Sequence, residues 1–343
     1  MLAPSHGRGG GIERCLESLE WALAARGVAC QRVDLARPGV SGHGQLLVTA
    51  RAALRTRPEP TRLVVGHRAL LPVASLLATE RSIHGMSVLC HGSEVWDARF
   101  QPRRRIERGL VRRLGVRVIA VSSFTAGALA SNCRATVLPP ALSSEWFSAL
   151  VDAASAVRER PPGIRLATAF RLQEWRNKGL PQLVGAVAAL NRPDIRLTVC
   201  GSGDPPPDLL RLVSQNPWCT LRVGLADSEF ASELAAADLF ALATRTRAGR
   251  RACGEGFGLV LLEAQVAGTP VIAPAYGGSR DSYIEGVTGS APADETTEAL
   301  VRVLGGLIAD PARLAWMGCR AAAWAREVFA PERYAELVVT RLL

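Results

Sequence analysis

Short β-branched runs alternate with amphipathic helical patterns along most of this chain, about 25 to 30 residues apart, which is the rhythm of parallel βαβ units. Parallel strands need long crossover connections, so helices must cover both faces of the sheet they build. In the first half, strands are expected at Arg62–His67, Ser87–His91, Arg117–Val121 and Thr136–Leu138, with a helix from Gly11 to about Arg26 that carries Ile12, Cys15, Leu16 and Leu19 on one face. A second series is expected at Arg165–Phe170, Arg196–Cys200, Leu221–Val223, Leu239–Ala243 and Val271–Ala273. Between the series lies a stretch without strand character, closed by Pro161-Pro162-Gly163, which reads as a linker over 143–163. With 343 residues the chain exceeds one ordinary core. The expected fold is α/β, with doubly wound parallel-sheet domains over 1–142 and 164–324. The last 30 residues read as helical, broken near Pro331. Only Leu2–Ser5 precede the first glycine loop, whereas a doubly wound domain opens on a full central strand; the native start is therefore expected upstream of Met1.

Composition excludes several classes. The eight cysteines are scattered without a C-x-x-C pair and the five histidines do not cluster, so neither a disulfide frame nor a zinc site is expected. The thiols read as reduced, in a cytoplasmic protein. No apolar run reaches membrane-spanning length. The formal net charge is +10, and of the 41 basic residues all but Lys178 are arginine. Aromatics make up only 5% and none interleave with the arginines, so a nucleic-acid partner is not expected. A basic chain still favours anionic substrates or anionic surfaces.

The densest chemistry lies in Gly254–Pro270, G-E-G-F-G-L-V-L-L-E-A-Q-V-A-G-T-P. Glu255 and Glu263 stand eight residues apart, with a glycine turn after the first and an apolar helix around the second. Eight helical residues rise roughly 12 Å, about the span from a hexose across a diphosphate to a ribose. The turn presents backbone N–H groups at a helix start, which suits a phosphate. Glu263, flanked by Leu259, Leu261, Leu262 and Ala264, is an acid on a helix apolar nearly all round and requires a partner.

Arg171 ends a strand and Lys178 precedes the helical pattern Leu180–Leu190. Ligands bind at the carboxyl ends of parallel strands, where two cations can stabilise a leaving diphosphate. In a chain that otherwise writes arginine, one lysine points to a compact ammonium rather than a planar fork. Gly10-Gly11 closes a glycine loop before a helix, and His91 and Glu94 follow another strand. Ser122-Ser123 reads as a helix N-cap. Arg99–Arg117, with Ile106, Leu110 and Leu114 four apart, reads as an amphipathic helix with a basic face, either solvated or set against an anionic lipid or acceptor.

Together these residues resemble a GT-B glycosyltransferase of family 4, a retaining class. The resemblance is carried by Gly10-Gly11, His91-Gly-Ser-Glu94, Ala120-Val-Ser-Ser123, Arg171 with Lys178-Gly, and Cys200-Gly-Ser-Gly203. Its most specific part is Glu255-Gly-Phe-Gly-Leu-Val-Leu-Leu-Glu263-Ala, followed by Gly268-Thr-Pro-Val and Gly277-Gly278. The resemblance implies two Rossmann-like domains facing across a cleft, with a C-terminal crossover helix over 325–343 returning to the first. It implies a hexosyl transfer from a nucleotide-diphosphate sugar to an acceptor hydroxyl on a lipid, a glycan or a small metabolite. By likeness Glu263 holds the ribose, Glu255 the donor hexose, and Arg171 and Lys178 the diphosphate. Backbone groups of Phe257, Gly258, Leu259 and Val260 bind sugar and phosphate. Gly201 and Ala226 complete the donor site, the latter beside the base. His91 lies near the anomeric centre, and Gly10, Gly11 and Glu94 serve phosphate or acceptor.

No Asp-x-Asp pair is present to carry a divalent ion, so the expectation is a reaction without metal or cofactor, with front-face departure and attack rather than a covalent Glu255 intermediate. Pro139-Pro-Ala141 departs from the Asn-Gly turn of relatives, and the insertion Arg245–Cys253 is similar to one in phosphatidylinositol mannosyltransferases and polysaccharide-assembly enzymes. The alternatives are another GT-B reaction, such as sugar-nucleotide epimerisation, or a basic non-catalytic relative; a pyridoxal-dependent phosphorylase would need a second lysine. The expected location is cytoplasmic, with association at a membrane surface left open.

Overall fold

The computed structural model describes residues 1–4, 10–56, 59–92, 109–131, 133–156, 162–247 and 252–343. The chain forms two compact units. The first comprises Met1–Ala141, Arg247–Ala252 and Pro331–Leu343, and the second Leu142–Thr246 and Cys253–Ala330.

The first unit holds six parallel strands, β1 (Leu2–Ala3), β2 (Val33–Asp34), β3 (Thr61–Val65), β4 (Ile83–Cys90), β5 (Arg117–Ala120) and β6 (Ala135–Val137), in the order β2-β1-β3-β4-β5-β6. Its helices are α1 (Gly11–Ala25), α2 (Gly39–Arg55), α3 (Leu71–Leu77) and α4 (Ser123–Leu129). The expected face of α1 packs inward: Cys15, Leu16 and Leu19 are buried. The Ser122 hydroxyl caps α4 by accepting from the Thr125 N–H at 3.2 Å. Only two residues of β1 pair with β2 and β3, yet they join the edge strand β2 to the rest of the sheet. The last helix, Pro331–Leu342, packs on α1. Its final turn is tied to the sheet, where the Ser87 hydroxyl donates to Leu342 O at 3.0 Å and Arg341 donates to Val137 O at 2.5 Å. Of the expected basic helix Arg99–Arg117, residues 109–113 are helical, whereas the chain turns at Leu114-Gly115 and Arg117 already opens β5; 99–108 lie outside the described residues.

The second unit holds β7 (Ile164–Arg171), β8 (Ile195–Ser202), β9 (Cys219–Val223), β10 (Leu239–Ala241), β11 (Val271–Ile272) and β12 (Gly289–Ser290), all parallel, in the order β12-β11-β10-β7-β8-β9. Numbered from β7, that is the 3-2-1-4-5-6 order of a Rossmann sheet. The helices are α5 (Ser144–Ala156), α6 (Leu180–Leu190), α7 (Pro207–Ser214), α8 (Asp227–Ala236), α9 (Leu259–Val266), α10 (Thr297–Ile308) and α11 (Pro311–Val328). Helix α6 starts after the left-handed Gly179, with proline in its first turn, and stops at Asn191 at φ 47°, both common terminal devices. Residues 144–156, inside the stretch read as a linker, form α5, which packs on α8 and α9 through buried Trp146 and Leu150. The Trp146/Leu150 spacing of four is the helical signal there.

The strands missed in the sequence, β2 and β12, are two residues long and lie at sheet edges, too short to show a period. The buried thiols behave as apolar filling: burial pushes Cys15 and Cys200 up to about 12 and Cys219 to about 11, far from a reactive thiolate.

Candidate active site

Strand order decides where a site can form. In the second sheet the chain reverses direction of growth between β7 and β10, and ligands bind beyond the strand ends at such a switch point. Arg171 is the last residue of β7, and Thr244 lies three residues past β10. The segment after β7 is a 3-10 turn, Leu172–Glu174, anchored by the buried ring of Trp175. Arg176 stacks over that indole at 4.2 Å and pairs with Asp208 at 2.5 Å. Arg176, with Arg211 second, holds the Asp208 carboxyl below the usual carboxylate range. Asn177 donates to Glu174 at 2.9 Å, and the Lys178 N–H donates to Glu174 O at 2.8 Å. The lysine is thus carried on a pinned turn rather than a loose loop.

Lys178 Nζ donates to Glu255 Oε2 at 2.9 Å, and the Thr244 hydroxyl reaches the same oxygen at 3.2 Å. The Lys178 and Glu255 side chains are 26% and 14% exposed, so the pair is mostly shielded yet reachable. The main chain of Glu255 is fixed too, because the Gly278 N–H donates to its carbonyl at 2.7 Å. Sequence reading nominated Lys178 and Glu255 separately; the structure makes them one ion pair. It missed Thr244, whose place beside Glu255 follows from strand order and not from any motif.

Gly179 makes this closeness possible. Its φ is +70°, and a Cβ there would overlap the carbonyl oxygen of Ala243, the residue before Thr244. Gly179→Ala is expected to destabilise the protein by about 1–3 kcal/mol from the left-handed backbone alone, with more from the displaced turn. Calorimetry should show a melting temperature lower by several degrees, at roughly 2–4 °C per kcal/mol for a unit of this size.

Helix α9 begins only at Leu259, so Glu255 stands in the turn before it. The eight-residue helical ruler is therefore half helix: Leu259 to Glu263 rises about 6 Å, and the turn supplies the rest. Gly258 caps the helix at φ 82°, and the Leu261 N–H closes the first turn onto Gly258 O at 2.8 Å. Phe257 is buried with its ring edge-on to Phe329 at 5.9 Å, which leaves its backbone as the part a ligand can use. Gly201, next to last in β8, lies opposite Phe170, and Ala226 caps α8, with its N–H donating to Glu229 at 2.9 Å.

Glu263 is 4% exposed, and its Oε1 accepts from the Trp146 indole N–H at 3.0 Å. One partner of the kind that an acid on an apolar helix requires is thus an indole 117 positions away, which no local pattern could have named.

The first unit places its expected residues around its own switch point, between β1 and β3. Gly10 caps α1 and Gly11 opens it. His91 follows β4, and its Nε2 donates to Gly66 O at 2.8 Å. Its ring stacks on His67, centroids 6.0 Å apart and planes 9° from parallel. His67 Nδ1 accepts from the Ala69 N–H at 3.0 Å. His67 was not singled out in the sequence, although it follows a strand as His91 does. Glu94 lies outside the described residues.

Two parallel six-stranded sheets, each doubly wound, are the architecture of the GT-B glycosyltransferases. Sucrose-phosphate synthase from Thermosynechococcus elongatus shares it, with a TM-score of 0.80 at 20% identity over 99% of this chain and 96% of that one. Anabaena HepE, solved in complex with UDP, does so at 0.75 and 17% identity over 99% and 98%. Residues 163–310 match the family described as glycosyl transferases group 1. A GDP-mannose-dependent alpha-(1-6)-phosphatidylinositol monomannoside mannosyltransferase of Mycolicibacterium smegmatis is 31% identical over 297 residues, covering 78% of this chain and 76% of that protein. The chain belongs to the group 1 glycosyltransferases, family 4 of the GT-B enzymes. No described helix is long and apolar enough to cross a membrane.

Proposed function

We propose that this glycosyltransferase moves a hexosyl group from a nucleotide-diphosphate sugar to an acceptor hydroxyl with retention of anomeric configuration and without a metal ion. The observation that carries the reading is the Lys178–Glu255 pair at the β7/β10 switch point. An ammonium and a carboxylate 2.9 Å apart offer a cation to a diphosphate and an acceptor to the hydroxyls of the sugar attached to it. Charge grows on the diphosphate as the glycosidic bond breaks. Lys178, Arg171 and the outward N–H groups of Leu259 and Val260 at the start of α9 form a preorganised counter-charge, which is the arrangement that lowers such a barrier. The fixed cations supply the charge compensation that a divalent ion would otherwise give.

Glu263 takes the ribose hydroxyls, Ala226 lies by the base, and the acceptor is a hydroxyl of a lipid, glycan or small metabolite. The M. smegmatis relative is named for GDP-mannose, so GDP-mannose is the first donor to try. A thermal-shift screen against UDP-, GDP-, ADP- and dTDP-sugars tests the reading. One donor class should raise the melting temperature of the wild type and fail to do so with Lys178→Ala. No shift with any nucleotide sugar, or equal shifts in both proteins, would overturn it. NMR of the product's anomeric proton tests retention. The basic sequence Arg99–Arg117 is the segment through which an anionic membrane would be met.

A further inference from the structure

The carboxylate of Glu263 is held by a device outside the segment that carries it. Helix α5 brings Trp146 to it, a residue only 8% exposed, with Nε1 3.0 Å from Oε1. The start of α5 is fixed by the Ser143 hydroxyl, which accepts from the Trp146 N–H at 3.4 Å. Behind the indole lies Phe230, stacked with centroids 6.0 Å apart and planes 10° from parallel. Phe230 stands one turn into α8, and its N–H donates to Ala226 O at 2.9 Å. One side chain therefore ties the α9 carboxylate to the α8 turn that Ala226 begins.

We propose that Trp146 is a positioning residue for nucleotide recognition, locking the Glu263 carboxylate in the orientation that accepts the ribose hydroxyls. This rests on the reading of Glu263 as the ribose-holding residue. The choice of donor fits the task. An indole N–H gives one hydrogen bond and carries no charge, so it orients the carboxylate without neutralising it. A lysine or arginine in its place would compete with the ribose for the acid. The stack on Phe230 restricts the indole, so the hydrogen bond sets the direction of the carboxylate as well as satisfying it.

Trp146→Phe keeps the stacked ring and removes only the N–H. The probes are GDP and UDP, each beside its 2′-deoxy and 3′-deoxy counterparts, with affinity read by calorimetry and the donor KM and kcat read on the full chain. Wild type is expected to prefer the ribonucleotide by about tenfold or more, in line with a site that hydrogen-bonds a substrate hydroxyl. In Trp146→Phe that preference should fall several-fold, with KM for the donor raised and kcat changed far less. Trp146→His, which retains a ring N–H, should recover part of the preference. A Trp146→Phe enzyme that folds and keeps the full ribose preference overturns the proposal. Glu263→Gln separates the two levels. If it too keeps the preference, the ribose reading of Glu263 fails. If it loses the preference while Trp146→Phe keeps it, only the role of Trp146 fails. Should Trp146→Phe not fold, Phe230→Leu loosens the stack and leaves the N–H. A reduced preference there supports the proposal, and an unchanged one overturns it.

Discussion

Lys178→Ala is expected to lower turnover about 10²-fold, the cost of removing one preorganised donor from a developing negative charge, while the protein still folds. The ammonium lies against Glu255 at 2.9 Å on a turn held by Trp175, Glu174 and Arg176, so in the proposed role it needs no reorganisation to meet the developing charge. Folding should survive because Glu255 retains the Thr244 hydroxyl and both side chains keep some contact with solvent. Lys178→Arg is the sharper variant. In a chain whose other basic residues are all arginine, a guanidinium that served equally well would leave the lysine without a purpose. The guanidinium is planar and larger than an ammonium, whereas the site presents a compact Nζ 2.9 Å from Glu255 Oε2 on a pinned turn. Lys178→Arg should therefore remain about tenfold or more below wild type, an order of magnitude consistent with incomplete transition-state stabilisation. Steady-state kcat with the donor found by thermal shift, alongside the melting temperature, checks both. A near wild-type rate for Lys178→Ala would remove the lysine from the site.

Much of this arrangement could be read before any coordinates, for a definite reason. Strands such as β7 and β8 are eight residues long, and each is followed by a helix with its own period, so the βα rhythm repeats often enough to be unambiguous. The residues at the ends of those strands then inherit a function from topology. The positions of Arg171, Lys178 and His91, at or just past strand ends, were legible in that way. What stayed hidden depends on which strand lies beside which. Thr244 is an ordinary threonine until β10 is placed next to β7. The bond from Trp146 to Glu263 joins helices far apart in sequence, and nothing in the local pattern of either helix announces it. The turn before α9 was legible in composition and misjudged in geometry, because glycines at 254, 256 and 258 disfavour helix until Leu259.

Glu255→Ala decides between two chemistries that share one carboxylate. If Glu255 were a covalent nucleophile, a retained product would come from two inversions, and the alanine enzyme would accept azide in its place. Azide would then displace the nucleotide diphosphate and give a glycosyl azide inverted relative to the donor. If Glu255 holds sugar hydroxyls beside the reaction, azide has no vacancy in the mechanism to fill. The geometry favours the second. Oε2 already accepts from the Lys178 ammonium and from the Thr244 hydroxyl, and two donors, one of them charged, draw electron density from the oxygen that would attack. The backbone is clamped by the Gly278 N–H, which suits a residue that fixes a ring more than one that must advance to bond with it. Glu255→Ala is therefore expected to lose about 10²–10³-fold in turnover, on the order of 3–4 kcal/mol of transition-state stabilisation, without rescue by azide. Glu255→Gln, which preserves one acceptor and the side-chain volume, should recover part of that loss. A nucleophile would show the reverse pattern: an amide as inactive as alanine, and a glycosyl azide of inverted configuration detectable by NMR.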